Sequence, residues 1–62
     1  MTKLRKKMIE NGWLYKDLAR ESGIDRTIIY RYAHGKIKKP NNKTLFAFAK
    51  ALNCDVEEIV ED

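Results

Sequence analysis

Apolar residues recur along this chain at the three- and four-residue spacing of amphipathic helices, and no segment shows the strict alternation of a half-buried strand. The clearest case is 42–53, where positions i, i+3, i+4 and i+7 are Leu45, Phe48, Ala49 and Leu52. Similar patterns predict helices at 2–11, 14–22 and 26–34, and a last one that begins at Asp55. The sequence therefore predicts an all-α fold, a compact bundle of five short helices around one core.

The predicted helices each place a few apolar side chains on one face. Those expected to face the core are Leu4, Met8 and Ile9 in the first helix, Leu14, Leu18 and Ala19 in the second, Ile29 and Tyr32 in the third, and Val56 and Ile59 in the last. Trp13 precedes the second helix and is expected to pack as a hydrophobic anchor.

Capping and turn residues separate these segments. The predicted N-caps are Thr2, Asp25, Asn41 (or Asn42) and Asp55, the last with Glu58 three residues later as in a capping box. Asn11-Gly12 and Asn53 mark helix ends, and Pro40 stands in a loop because it cannot continue a helix. Gly23 and Gly35 are expected to supply positive φ angles, Gly23 in a tight turn and Gly35 at a helix end. Two short helices joined by such a turn form a central helix-turn-helix.

Length and cysteine content limit the function classes. The chain has 62 residues, enough for one small domain, and nothing in it resembles the nucleophile–base pair or the carboxylate dyad in a cleft that would indicate an enzyme. Its one cysteine, Cys54, allows no intrachain disulfide or stand-alone metal site, so we expect a small buried group and a reducing cytoplasmic location. There is no visible signal peptide or membrane-spanning apolar run, and Met1-Thr2-Lys3 is typical of a native start. No cofactor is implied.

Charge is distributed unevenly along the chain, whose net charge is +4. Residues 26–43 contain six basic residues and no acidic one, whereas residues 44–62 have a net charge of −4. A basic segment of this kind favours contact with a polyanion such as double-stranded DNA.

The helix 26–34 has the features of a DNA-reading helix. The expected base contacts are Arg26, Thr27, Tyr30 and Arg31, on or near the face opposite Ile29 and Tyr32. Sequence-independent phosphate binding is the alternative for both arginines, and Ile28 either contacts thymine methyl groups or covers the junction with the second helix. His34 is expected on the surface, where a protonated ring can approach a phosphate. The expected backbone contacts in and after the loop are Lys36, Lys38, Lys39, Asn41 and Lys43, beside the first amides of the fourth helix; the alternative is a merely soluble basic loop.

Several motifs together resemble the lambda-repressor-like, or Cro-type, helix-turn-helix family over nearly the whole chain. They are Asp17-Leu18-Ala19, Ser22-Gly23-Ile24, the loop at 35–40, Leu45, the segment 49–52 and the segment 55–59. The resemblance implies a transcriptional regulator, such as a phage or bacterial repressor, that binds a two-fold-related operator as a homodimer. It also suggests Phe46, Val60 and the neighbours of Leu52 as parts of the dimer surface.

The chain departs from the family pattern at three places. Tyr15 stands where a phosphate-contacting Gln is usual, so Tyr15 and the adjacent Lys16 are expected to contact the DNA backbone. Leu14 occupies a cap position that is usually polar. Met8 and Ala33 replace an Arg–Glu pair together, and because an apolar pair avoids a stranded charge, we expect them near each other in the core.

Two other function classes are alternatives to DNA-dependent regulation. In the first, an antitoxin-like module would bind a basic protein partner through its acidic segment 57–62. In the second, the chain would bind RNA or a membrane surface, but its basic residues surround a loop and a capped helix instead of one long amphipathic face.

Overall fold

The computed structural model describes residues 1–61, which form four α-helices and one turn of 3-10 helix and contain no strand. The α-helices are α1 (Lys3–Glu10), α2 (Tyr15–Ser22), α3 (Arg26–Ala33) and α4 (Asn42–Ala51), and the 3-10 helix is η1 (Val56–Glu58). The predicted all-α fold is confirmed, with α2 and α3 joined as a helix-turn-helix.

The fifth helix differs from its prediction, because it is a single 3-10 turn instead of an α-helix. The chain leaves the helical conformation at Ile59 (φ −125°). There the Ile59 carbonyl accepts a hydrogen bond of 2.9 Å from the buried Tyr32 hydroxyl. A tertiary hydrogen bond thus fixes the carbonyl at the end of this short segment. Similarly, α4 ends at Ala51, two residues earlier than predicted, and Asn53 adopts the left-handed conformation (φ 54°) that terminates helices.

Side-chain caps begin three of the α-helices as predicted. The side chains of Thr2, Asp25 and Asn41 accept hydrogen bonds from the backbone N–H groups of Arg5 (3.2 Å), Thr27 (2.7 Å) and Thr44 (2.8 Å). The predicted box at η1 is only half formed. Glu58 accepts a 2.8 Å bond from the Asp55 N–H, but the Asp55 side chain makes no capping bond. Only half of a capping box is also present at α2. Asp17 accepts a 2.8 Å bond from the Leu14 N–H, and leucine has no side-chain oxygen that could make the reciprocal bond.

One apolar core joins all five elements. Its buried members are Leu4, Met8, Leu18, Ile29, Tyr32, Ala33, Leu45, Phe48, Ala49, Leu52 and Ile59. Met8 and Ala33 both belong to this core, so their predicted burial is confirmed, and their proximity to each other remains a prediction. Trp13, Ala19 and Val56 are half-buried and pack against it.

Two residues expected in the core lie on the surface. Ile9 is 51% exposed, because it follows Met8 by one residue and is rotated about 100° away from the face that Leu4 and Met8 share. Leu14 is 58% exposed. It stands at the N-cap of α2 in extended backbone (φ −89°, ψ 169°), so it does not share a helix face with Leu18.

The turns around α3 fix its position. Gly23 (φ 74°) ends α2, and its N–H donates to the Ala19 carbonyl over 2.9 Å. Gly35 (φ 75°) ends α3 in a Schellman motif, in which Lys36 N–H donates to Arg31 O (2.8 Å) and Gly35 N–H donates to Tyr32 O (3.1 Å).

The segment after α4 packs back on α1. Lys7 Nζ lies 3.0 Å from Glu58 Oε1, and the Lys3 N–H donates to Glu61 Oε1 over 2.8 Å. Two hydrogen bonds lower the pKa of Glu58, with the larger effect from the Asp55 N–H and the smaller from Lys7. The hydrogen bond with Glu58 in turn raises the pKa of Lys7. Within residues 1–61, no helix is both long and apolar enough to cross a membrane.

Candidate nucleic-acid interface

The exposed face of α3 presents all four side chains that the sequence proposed as base contacts. Arg26, Thr27, Tyr30 and Arg31 are exposed, whereas Ile29, Tyr32 and Ala33 on the other face are buried. His34 extends the exposed face by following Thr27, Tyr30 and Arg31 at helical spacing. Ile28 is also exposed and lies beside these residues. The helix thus combines a fixed apolar side with a cationic and aromatic side that faces solvent.

An open groove of about 620 Å³ separates the start of α2 from the start of α3. Its lining residues are Leu14, Tyr15, Lys16, Arg26, Thr27 and Tyr30. The groove therefore brings three of the proposed base contacts together with both proposed backbone contacts from α2, while Arg31 lies outside it. Two helix N-termini and two basic side chains border the groove, an arrangement that favours a polyanion.

Four side chains form a connected group beside this groove, which we call the aromatic row: Arg5, Tyr15, Tyr30 and His34. The Arg5 guanidinium carbon lies 5.0 Å from the centre of the Tyr15 ring. The Tyr15 and Tyr30 rings meet edge to face at 5.8 Å, and His34 stacks on Tyr30 at 4.1 Å with an interplanar angle of 29°. His34 Nε2 also lies 2.9 Å from the Tyr15 hydroxyl.

Sequence reasoning missed the aromatic row. The spacing of four residues between Tyr30 and His34 was a usable signal, because such side chains are neighbours on a helix. No comparable signal joins Tyr15 to His34, which are 19 residues apart in the chain and meet only because α2 packs on α3. Tyr15 thus contacts the exposed face of α3 as well as lining the groove.

The loop after α3 and the start of α4 expose the other proposed backbone contacts to solvent. Lys36, Lys38 and Lys39 are exposed, and Ile37 between them is half-buried and packs against the core. Asn41 and Lys43 are exposed at the start of α4. Because the Asn41 side-chain oxygen caps α4, its amide NH₂ group is the part of this side chain that can donate to a phosphate.

Cys54 contacts the core, and two residues of the acidic segment contact α1. Cys54 is half-buried against the core, and burial raises the pKa of its thiol. Among residues 1–61, no group of three or more His, Cys, Asp or Glu side chains is placed to hold a metal ion. In the acidic segment, Glu58 and Glu61 are bonded to α1 as described above, which reduces the negative surface that a basic protein partner would need. Asp62 of that segment lies outside the described residues.

Comparison with known families identifies a match over almost the whole chain. The family model described as the Cro/C1-type helix-turn-helix (HTH) DNA-binding domain covers residues 3–62. Searches of the curated proteins and of the solved structures each returned no match.

Proposed function

The chain belongs to the Cro/C1-type helix-turn-helix DNA-binding domains, and from that premise we propose that it is a sequence-specific transcriptional regulator whose α3 enters the major groove. The observation that carries this proposal is the exposed face of α3, where Arg26, Thr27, Tyr30 and Arg31 stand together above a buried apolar face. A major groove about 12 Å wide accepts such a helix.

The side chains on α3 differ in what they can recognise. Arg26 and Arg31 each offer a planar fork of donors that matches guanine O6 and N7, a contact worth about 1–3 kcal/mol of discrimination. Thr27 can contact a thymine methyl group or a phosphate. Tyr30 can pack on a base edge, a methyl group or a sugar.

The flanking groups are assigned to the DNA backbone. Tyr15 and Lys16 at the start of α2 contact one strand, and the loop lysines with Asn41 and Lys43 contact phosphates. Such contacts fix the position of α3 without reading sequence, and they make binding depend steeply on salt concentration.

We further propose that two copies act together as a repressor on a two-fold-related operator. The eight residues of α3 span about 12 Å, which covers only three or four base pairs at about 3.4 Å each. One copy therefore reads too short a site for useful selectivity, and two copies on half-sites about 34 Å apart double that length. Such a regulator would act in the cytoplasm, associated with the nucleoid.

Selection of bound duplexes from a random library at roughly 150 mM salt, near physiological ionic strength, tests the proposal. We expect a palindromic motif whose half-sites are about one helical turn apart. Arg31→Ala should relax the preference at one base position in each half-site. Lys38→Ala should instead weaken binding to all sequences equally and reduce by about one the slope of log affinity against log salt concentration. Lys50→Ala removes an exposed charge near the acidic end and serves as the matched control. Binding at low salt without an enriched motif would contradict specific regulation.

A further inference from the structure

We propose that His34 is a positioning residue that holds Tyr15 and Tyr30 in the orientation they need on DNA. The inference rests on the proposed function, because it concerns how the DNA-facing side chains are ordered before binding. It assigns a role in sequence preference to a histidine that need not touch a base.

The His34 ring contacts two helices at once. Its face stacks on Tyr30 of α3 at 4.1 Å, and its Nε2 lies 2.9 Å from the hydroxyl of Tyr15 at the start of α2. In that hydrogen bond the hydroxyl donates when Nε2 carries no proton and accepts when Nε2 is protonated. One side chain therefore restricts both tyrosines.

The two tyrosines need such restriction because neither is enclosed by the core. Tyr30 is 46% exposed and Tyr15 is only half-buried. A side chain that is mobile in the free protein must be ordered when it binds, and that cost lowers affinity. Releasing either tyrosine from His34 is expected to lower the affinity for DNA about two- to tenfold.

The rest of the aromatic row supports the same arrangement. Tyr15 and Tyr30 touch each other edge to face at 5.8 Å, and the Arg5 guanidinium covers the Tyr15 ring from α1. Tyr15 is thus held between a cation and a hydrogen-bond partner, whereas Tyr30 relies on Tyr15 and His34. His34 itself is exposed at the C-cap of α3, so its replacement removes surface contacts and leaves the core intact.

Three variants separate the two contacts of His34. His34→Ala removes both contacts, His34→Phe retains a ring that can stack on Tyr30, and His34→Gln retains a polar group that can bond to Tyr15. Each variant is put through the library selection described above and titrated with the duplex that the wild-type protein selects. Thermal unfolding of each variant confirms that the fold persists.

We expect His34→Ala to lose affinity for that duplex and to flatten the preference at the base position that Tyr30→Ala also flattens. The positions assigned to Arg26 and Arg31 should keep their preferences. His34→Phe should restore the position that depends on Tyr30, and His34→Gln should not. In a Tyr30→Ala background, His34→Phe and His34→Ala should select the same motif.

The outcomes distinguish this inference from the proposed function. If the wild-type protein enriches no motif, the proposed function fails and the inference fails with it. If the wild-type protein enriches a motif and His34→Ala enriches it with unchanged preferences and affinity, the inference alone is overturned. A loss of affinity that is equal for all sequences would show that His34 affects only contacts to the DNA backbone, its own or those of Tyr15, and would overturn its role in sequence preference. Because preferences are scored among bound molecules, a variant that is partly unfolded still gives a clear result.

Discussion

Removing the Tyr32 hydroxyl tests how the last segment of the chain is held. Tyr32 is 1% exposed, and its hydroxyl donates 2.9 Å to the carbonyl of Ile59, which lies 27 residues further along. Tyr32→Phe keeps the ring in the core and leaves that buried carbonyl without its donor. An unsatisfied buried polar group costs about 1–3 kcal/mol. A chain of this length has a total stability of only about 3–9 kcal/mol, so the loss is large.

Urea unfolding followed by Trp13 fluorescence or circular dichroism measures the effect. We expect the urea midpoint to fall and, in thermal unfolding, the unfolding temperature to drop by about 4–24 °C, since each kcal/mol shifts a small domain by about 4–8 °C. Tyr30→Phe is the matched control, because it removes the same hydroxyl from a side chain that is 46% exposed. Equal midpoints for the two variants would show that the Tyr32–Ile59 bond does not contribute to stability.

The same tyrosine predicts a pH dependence. Burial raises the pKa of Tyr32 above its ordinary value of about 10. The folded state therefore favours the neutral phenol, and this contribution to stability is fully present below about pH 10 and is lost as the pH rises through the raised pKa. Tyr32→Phe should reduce the loss of stability at high pH, whereas Tyr30→Phe should retain it.

Two further substitutions test local features. Gly35→Ala should destabilise the fold by about 1–2 kcal/mol in urea unfolding. An added Cβ meets no atom within 4 Å, so the cost comes from placing a residue with a Cβ at φ 75°. Gly35→Asn should lose less stability, and equal stability of Gly35→Ala and the wild-type protein would contradict this argument. Glu58→Gln should weaken the dependence of stability on acid pH. Because the fold lowers the pKa of Glu58 below its ordinary value of 4.5, the ionised carboxylate stabilises the fold above pH 4.5, and this contribution is lost as the pH falls through the lowered pKa. Glu57→Gln, on the exposed neighbouring residue, is the control for an acid titration followed by circular dichroism, and a profile shared by both variants would contradict this role of Glu58.

The features that the sequence predicted correctly depend on residues close together in the chain. Thr2, Asp25 and Asn41 cap their helices because each needs only the backbone two or three residues ahead. Gly23 and Gly35 have positive φ because the chain must leave a helix at those points. The core positions of α4 follow from helical periodicity in the same way.

The features that the sequence could not predict depend on how the helices dock. Thr2 donates to the Ala33 carbonyl over 2.7 Å, although 31 residues separate them, and Lys7 meets Glu58 across 51 residues. Such contacts require the relative position of two helices, which periodicity within one helix does not specify. The aromatic row and the 3-10 turn after α4 both arise from contacts of this long-range kind.

Exposed apolar residues show why the groove between α2 and α3 indicates a DNA interface better than any single exposed side chain does. Ile9, Leu14 and Phe46 are all more than half exposed, and isolated apolar residues on a surface are normal. Ile9 and Phe46 do not line the groove between α2 and α3, whereas Leu14 lines it with Lys16 and Arg26. An apolar side chain among cations and phenol rings suits a DNA surface that presents phosphates, sugars and thymine methyl groups together. The exposure of Leu14 therefore agrees with its place in the proposed DNA interface, because local rules are expected to fail first at functional surfaces.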